Sequence, residues 1–182
     1  MLTKSITIGV IALAAAGLSA GANQTTFEDL RSTTFAVRTH ADAVNTIYGT
    51  AGYDWNAQHL QAIRDETNHI GQDLQKLRES SLTPNEERAL DRAIPLLKTM
   101  AADTSAAIQA INEKGRPVDN NGALFNQRYH NRMVAVQANA AQAEKIFENV
   151  ANFEKVRGQL ESLQKQSNDQ NQGGSQPQES AR

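Results

Sequence analysis

Residues 27–48 read FEDLRSTTFAVRTHADAVNTIY, and this stretch decides the fold. Its apolar and small side chains recur three and then four residues apart without a break, at Phe27, Leu30, Thr34, Val37, Ala41, Val44 and Tyr48. That spacing lines one stripe of an α-helix, because a helical turn takes about 3.6 residues. A helix with one apolar stripe has to bury it against another element. The stretch therefore predicts an amphipathic helix of a bundle.

Three later segments repeat this rhythm, so the sequence predicts four helices. The first helix is expected from about Thr26 to Tyr48, and the second from a cap at Asp54. The third has the clearest start: Thr83 is the cap, Pro84 takes the first helical position, and Glu86 completes a capping box. The predicted inner stripes of these two helices are Leu60, Ile63, Thr67, Ile70, Leu74 and Leu77, and then Leu90, Ala93, Leu97, Met100, Thr104, Ala107 and Ile111, widened by Ile94 and Ile108.

The fourth predicted helix is the longest, from about residue 123 to residue 166. Its expected inward side chains are Phe125, Tyr129, Met133, Val136, Ala140, Ala143, Phe147 and Val150. The stripe then changes phase to Phe153, Val156, Leu160 and Leu163, which predicts a helix that outlasts its partners or rotates against them. Short connections favour antiparallel neighbours. The predicted fold is all-α: an antiparallel up-down-up-down four-helix bundle with coiled-coil packing and a long fourth helix.

Pro95 lies inside the third predicted helix. It has no backbone N–H to donate and its ring crowds the preceding turn, so we expect a bend near Asp91.

The first residues have the pattern of a cleavable export signal. Lys4 precedes an apolar stretch over residues 6–18, and Ala20-Gly21-Ala22 provides the small residues read by signal peptidase. The apolar stretch is shorter than the roughly 20 residues that span a bilayer, and we predict no other membrane span. The expected organisation is a signal peptide over 1–22, a bundle over 23–166 and a disordered polar tail over 167–182, in a periplasmic or secreted protein.

The charge and cysteine content exclude several classes of protein. The chain carries 18 Lys and Arg against 20 Asp and Glu, a net charge of −2, with no basic stripe of the kind that nucleic acids require. It contains no Cys. Disulfides, a lipoprotein anchor and covalent c-type haem attachment are therefore excluded, and burial alone has to stabilise the fold.

Two patterns could hold a metal or a haem. Glu66 and His69 match the Glu-x-x-His spacing of di-iron bundles, but the second such pair that a complete site needs is missing. A haem could lie between an inward Met and an inward His, for which the chain offers Met100, Met133, His40 and His130. We favour solvated side chains for the first pattern, and core methionines with rim histidines for the second.

Two further groups could bind a small molecule. Thr34, Thr67 and Thr104 make the inner stripes polar at mid-height. One interpretation is a modest cavity for a small molecule. The interpretation that we favour is that each hydroxyl donates a hydrogen bond to the backbone carbonyl one turn earlier. The aromatic rings near the first turn, Tyr48, Tyr53 and Trp55, either form a stacking platform or close the end of the bundle, and we favour closure.

The chain has no nucleophile elbow, P-loop, dinucleotide fingerprint or His-Glu-x-x-His motif. We therefore predict no catalytic, cofactor-binding or metal-binding residues, and no enzymatic activity.

The segment 55–111 resembles an uncharacterised group of exported helical proteins from acidobacteria. The matching pieces are Trp55-x-x-x-His59, Asn68-His69-Ile70-Gly71, Ala93-Ile94-Pro95-Leu96-Leu97, and Met100-Ala101-Ala102-Asp103-Thr104 with Ala107-Ile108 and Ile111-Asn112. This resemblance implies no activity and no site. It implies that Pro95 and Gly71 are fixed features of a packed bundle. The stretch 82–86, LTPNE, is also similar to a motif of Spy-type periplasmic chaperones, with Glu where that motif has Gln.

From these patterns we expect a non-enzymatic structural or protein-interaction module of the cell envelope. Its expected partner is another envelope protein or a second copy, contacted through the fourth helix. A periplasmic carrier of a small molecule, haem or metal is the alternative, and a Spy-like holdase a remote one.

Overall fold

The computed structural model describes residues 25–113, 118, 120 and 122–173, with side chains described to residue 169. It shows four helices: α1 (Phe27–Thr46), α2 (Tyr53–Arg78), α3 (Pro84–Asn112) and α4 (Gln127–Gly173). Each helix packs against two neighbours, α1 on α2 and α4, and α3 on α2 and α4. The predicted four-helix bundle with a long fourth helix is confirmed. The predicted signal peptide lies outside the described residues.

Contacts between helix ends show that neighbours are antiparallel. At the end where α1 and α3 begin, called the lower end here, the Phe27 ring lies 6.2 Å from that of Phe147, two-fifths of the way along α4. At the opposite, upper end, Tyr53 at the start of α2 donates a hydrogen bond to Asn112 at the end of α3, at 2.6 Å. The up-down-up-down order follows.

Local capping explains where α1 and α3 begin. Thr26 accepts a hydrogen bond from the backbone N–H of Asp29, whose carboxylate accepts from the Thr26 backbone N–H in return. Thr83 and Glu86 form the same reciprocal pair, as predicted. The predicted cap of α2 was two residues late, because Gly52 is the cap residue and Asp54 lies in the first turn.

Helix α4 differs from its prediction at both ends. It begins at Gln127, and the side chain of Asn126 accepts the backbone N–H of Tyr129 at 3.2 Å. Phe125, predicted to face inward, is 44% exposed. It precedes the helix and lies over the turn at Gly49, where a Cβ atom would come within 2.6 Å of its Cε1 atom. At the other end the helix continues to Gly173, past the predicted limit at residue 166.

The predicted stripes form the core. Nearly every stripe position of the four helices is buried; Tyr48, Leu74, Ile94 and Val150 are half-buried. Small residues at Ala41, Ala140 and Ala143 allow close approach of α1 and α4. Burial of each large aliphatic or aromatic side chain contributes about 1.5–3 kcal/mol, so the core stabilises the bundle without disulfides.

Neither Pro95 nor Gly71 belongs to this core. Both are exposed, and α3 continues through Pro95 to Asn112. A Cβ atom at Gly71 would meet nothing within 4 Å. Packing therefore does not require a glycine at residue 71.

Candidate functional site

The proposed haem ligands occupy different environments. Met100 and Met133 are fully buried in the core. His40 and His130 are half-buried at its rim, where His40 contacts His59 and His130 stacks on Tyr48 with ring centroids 4.0 Å apart. Each imidazole thus contacts another ring at the rim of the bundle, whereas the two Met side chains lie inside the core.

The Glu66 and His69 pair lies at the surface of α2. Glu66 is half-buried, and the exposed His69 places Nε2 3.2 Å from an Asp73 carboxylate oxygen. Among the described residues, no three His, Cys, Asp or Glu side chains are grouped so that they could hold a metal ion.

Asp73 is a buried carboxylate that the sequence analysis missed. Besides its contact with His69, it accepts hydrogen bonds from the Lys76 ammonium at 2.9 Å and from the Thr25 hydroxyl at 3.3 Å. Its sequence signal is weak: it falls three residues after Ile70, at a position flanking the apolar stripe. Thr25 comes from the start of α1, so this contact ties α1 to the end of α2 at the lower end.

Asp103 is a second buried carboxylate, on α3 beside stripe residue Thr104. The Arg132 guanidinium of α4 donates to it at 2.7 Å. An isolated buried carboxylate is costly, so this partner is required. No spacing in the sequence links residues 103 and 132, which meet only when α3 and α4 pack.

The three threonines of the polar midsection bond to their own helices. The hydroxyls of Thr34, Thr67 and Thr104 donate to the carbonyl oxygen four residues earlier, at 2.6, 2.6 and 2.8 Å. Two shallow pockets near the lower end are lined by residues of the α2–α3 turn, α3 and α4, and none of the three threonines is in their walls. The hydroxyls are satisfied without a ligand.

The aromatic residues near the α1–α2 turn pack on protein groups. Tyr48 is stacked on His130, and the Phe125 ring meets Tyr48 edge-on at 6.4 Å. Tyr53 and Trp55 are half-buried against the core. These rings cover the upper end of the bundle.

His40 and His59 form a contact between α1 and α2 that the sequence analysis did not anticipate. Their Nδ1 atoms are 2.9 Å apart, and their rings are inclined by 60° with centroids 5.1 Å apart. Trp55, one turn before His59, lies against its ring at 4.0 Å. Burial, and then the charge of His40, lower the pKa of His59. The neutral form of His59 is therefore favoured.

Among the described residues, four exposed large apolar side chains lie together on α4 beyond the bundle. Four side chains there are 53–62% exposed, at Phe153, Val156, Leu160 and Leu163, and we call them the extension stripe. Glu154 is the last half-buried residue, and it interacts with Glu86 at the start of α3. Every described side chain after Glu154 is exposed. The predicted change of phase thus coincides with the point where α4 leaves its neighbours.

The two glutamates at this point have opposite pKa shifts. Burial, the hydrogen bond with Glu86 and the charge of Glu86 all raise the pKa of Glu154. Burial acts in the same direction on Glu86, but hydrogen bonds from the Thr83 backbone and side chain outweigh it and lower its pKa. When the pair carries one proton, Glu154 is therefore the protonated residue and Glu86 the charged one.

No protein family, curated protein or solved structure matches this chain. The resemblance to exported acidobacterial proteins therefore stays a prediction. Within the described part of the chain, no helix combines the length and the hydrophobicity needed to cross a bilayer.

Proposed function

We propose that this protein is a non-enzymatic interaction module of the cell envelope, and that it docks through the extension stripe. The observation that carries the proposal is a row of four large apolar side chains, all more than half exposed, on a helix that has left its bundle. Contiguous exposed apolar surface of this kind marks protein contact sites.

The extension needs a partner to be a stable helix. Residues 155–173 extend about 28 Å at 1.5 Å per residue, and their side chains are exposed as far as they are described, to residue 169. Isolated helices of this length are marginal in water, because most helical stability in proteins comes from packing of an apolar face. The Gly at residue 158 weakens it further. A helix packed on the stripe supplies the missing stabilisation.

The partner that we propose is a second copy of this chain. The stripe spacing of three, four and three residues is that of alternating a and d positions over two heptads, so two identical stripes can interdigitate. The flanking e and g positions hold Asn152, Gln159, Gln164 and Gln166, which are uncharged, and Arg157. Arg157 lies 3.9 Å from Glu161 of its own helix, which offsets its charge. No ladder of like charges opposes pairing.

The size of the stripe limits the strength of the dimer. Four side chains from each copy bury less than the roughly 1,200 Å² typical of stable complexes. We therefore expect a weak dimer that dissociates on dilution.

Truncation after residue 152 tests the docking surface. Sedimentation velocity over a range of concentrations should show reversible dimerisation of the full chain and a monomer for the truncated one. The point variant Leu160→Glu should act like the truncation. Ser162→Glu, on the opposite face of the helix, is the matched control and should dimerise normally.

Two outcomes contradict this proposal. One is a full chain that stays monomeric at every concentration, and the other is a truncated chain that sediments with the same dimer fraction. Circular dichroism of each variant shows whether the bundle is folded. Loss of the dimer tests the docking surface only when circular dichroism shows that the bundle is still helical.

Export is supported by the pattern of Lys4, the apolar residues 6–18 and the small residues 20–22. The proposal expects a mature chain that begins at Asn23. Mass spectrometry of the protein from its own host measures this, and an uncleaved chain in the cytoplasm contradicts an envelope role.

A further inference from the structure

The His40 and His59 contact is independent of the extension stripe, since it joins α1 to α2 within the bundle. Both imidazoles are half-buried, and their Nδ1 atoms face each other at 2.9 Å. That contact holds a single proton, because one ring donates its Nδ1–H and the other accepts with a lone pair. The two Nδ1 atoms therefore face a common point between two helices.

We propose that these two imidazoles form a clamp for a divalent transition-metal ion, with Cu²⁺ the favoured ion. Neutral imidazole nitrogen is the most common protein ligand for such ions. To bind, the donating ring changes to its Nε2–H tautomer, which frees both Nδ1 lone pairs. Each ring then turns so that its lone pair meets the ion. Both rings are half-buried at the rim of the bundle, and the Trp55 ring that lies against His59 has to adjust when His59 turns.

The ion that we favour follows from the imidazole ligands and from the small rearrangement that the two nitrogens need. With metal–nitrogen bonds of about 2.0–2.1 Å, two ligands at a right angle lie about 2.9 Å apart, whereas two tetrahedral ligands lie about 3.4 Å apart. The observed 2.9 Å is the length of the hydrogen bond between the rings, and it is closer to the spacing of adjacent ligands of a tetragonal ion than to the tetrahedral spacing. Cu²⁺ and Ni²⁺ adopt that geometry, and Cu²⁺ binds nitrogen ligands more tightly. Zn²⁺, which prefers tetrahedral sites, should bind more weakly.

Water completes the coordination shell, because the described residues offer no third His, Cys, Asp or Glu ligand at this place. The ion is therefore exchangeable. It links α1 to α2, and by mass action it raises the stability of the folded chain as its concentration increases.

Trp55 provides a built-in reporter of this site. It is the only Trp in the chain, and its ring is 4.0 Å from that of His59. Cu²⁺ quenches indole fluorescence at such short distances. Titration of the purified full chain with CuCl₂ should therefore show saturable quenching at one ion per chain. The unfolding midpoint should rise with Cu²⁺, less with Ni²⁺ and least with Zn²⁺.

The variants His40→Gln and His59→Gln should each weaken the quenching by at least about tenfold in apparent affinity, the loss typical of a disrupted metal site. His69→Gln is the matched control. His69 is exposed and has an acidic neighbour in Asp73, so it would be the site of adventitious copper binding. Its replacement should leave the Trp55 titration unchanged.

Quenching that is the same in the wild type and in both clamp variants overturns the proposal, as does a loss confined to His69→Gln. Zn²⁺ binding tighter than Cu²⁺ also overturns it. If a clamp variant fails to fold, electron paramagnetic resonance of Cu²⁺ on the wild type decides. Coupling to two imidazole nitrogens supports the clamp, and coupling to fewer contradicts it. A pair that responds to pH but not to Cu²⁺ holds a proton only.

Discussion

At the scale of single residues, a buried hydrogen-bond network holds the upper end of the bundle. The Tyr129 hydroxyl of α4 donates to Asn56 of α2 at 2.8 Å, and the Asn56 amide donates to the carbonyls of Ala51 and Gly52. Burial raises the pKa of Tyr129 far above its usual value, so the hydroxyl stays protonated and remains a donor. The network connects α4, α2 and the preceding turn.

Tyr129→Phe should lower the free energy of unfolding by about 1–3 kcal/mol, because it leaves the buried Asn56 oxygen without a donor. Urea denaturation measures this. Tyr53→Phe, which removes a half-buried hydroxyl from Asn112, is the control and should cost less. Equal losses would show that burial of the acceptor is not what determines the cost.

Glu154→Gln should show a pH-dependent effect on stability. The raised pKa of Glu154 means that its contribution is fully present below the ordinary value of 4.5 and is lost as pH rises through the folded-state pKa. The lowered pKa of Glu86 acts oppositely, with its contribution present above 4.5 and lost as pH falls. The Gln amide donates to Glu86 as the protonated carboxyl does, but it does not titrate.

The stability of Glu154→Gln relative to wild type should therefore increase between about pH 4 and about pH 7. Urea denaturation across this range measures it. Glu148→Gln, an exposed position on the same helix, is the control. A difference that shrinks as pH rises contradicts the shared proton.

At the level of secondary structure, Pro95 lowers the stability of the third helix. Proline within a helix removes one backbone hydrogen bond and costs about 3 kcal/mol. Because Pro95 is exposed, Pro95→Ala restores the bond to the Asp91 carbonyl and loses little packing. The free energy of unfolding should rise by about 1–3 kcal/mol relative to wild type. Lys98→Ala is the control. A decrease in stability would indicate that the bundle needs the predicted bend.

Two glycines should respond in opposite ways to alanine. Gly49, in the α1–α2 turn, has a φ of +82°, and a Cβ atom there would clash with Phe125. Gly49→Ala should cost about 1–2 kcal/mol from the backbone alone.

At Gly158 a Cβ atom meets nothing within 4 Å, so Gly158→Ala should increase the helicity of the extension. Thermal unfolding measures the first and circular dichroism the second, and a loss of helicity at Gly158→Ala contradicts an unsupported extension.

At the scale of the whole molecule, the bundle and the extension differ in stability. The α4 segment from Tyr129 to Phe147 contributes six fully buried side chains to the core, whereas no described residue after Glu154 is even half-buried. Local unfolding requires the least free energy where the fewest side chains are buried. Amides of residues 155–169 should therefore exchange rapidly with deuterium in dilute, monomeric protein, and those of 129–147 slowly. Protection of the extension that increases with protein concentration is expected from the proposed dimer. Uniform protection in the monomer contradicts it.

The four helices, the capping box at Thr83 and nearly all of the core could be predicted from the amino-acid sequence alone. These features depend on residues within a few positions of each other, and a helical turn of 3.6 residues translates that spacing directly into a face. The phase change at Phe153 belongs to the same class, since it is a break in a local period.

Which side chains meet across helices depends on how the helices pack. Periodicity states that a face is buried but not what lies opposite, so the pairs Asp103 with Arg132, Asn56 with Tyr129 and His40 with His59 could not be read from spacing. All of these groups except the exposed Arg132 are buried or half-buried, and a pattern of apolar residues does not show polar groups even though their burial requires partners. Phe125 shows the same limit. Its position is in phase with the inner stripe of α4, but the helix begins only at Gln127, and the Phe125 side chain lies over the turn at Gly49 instead.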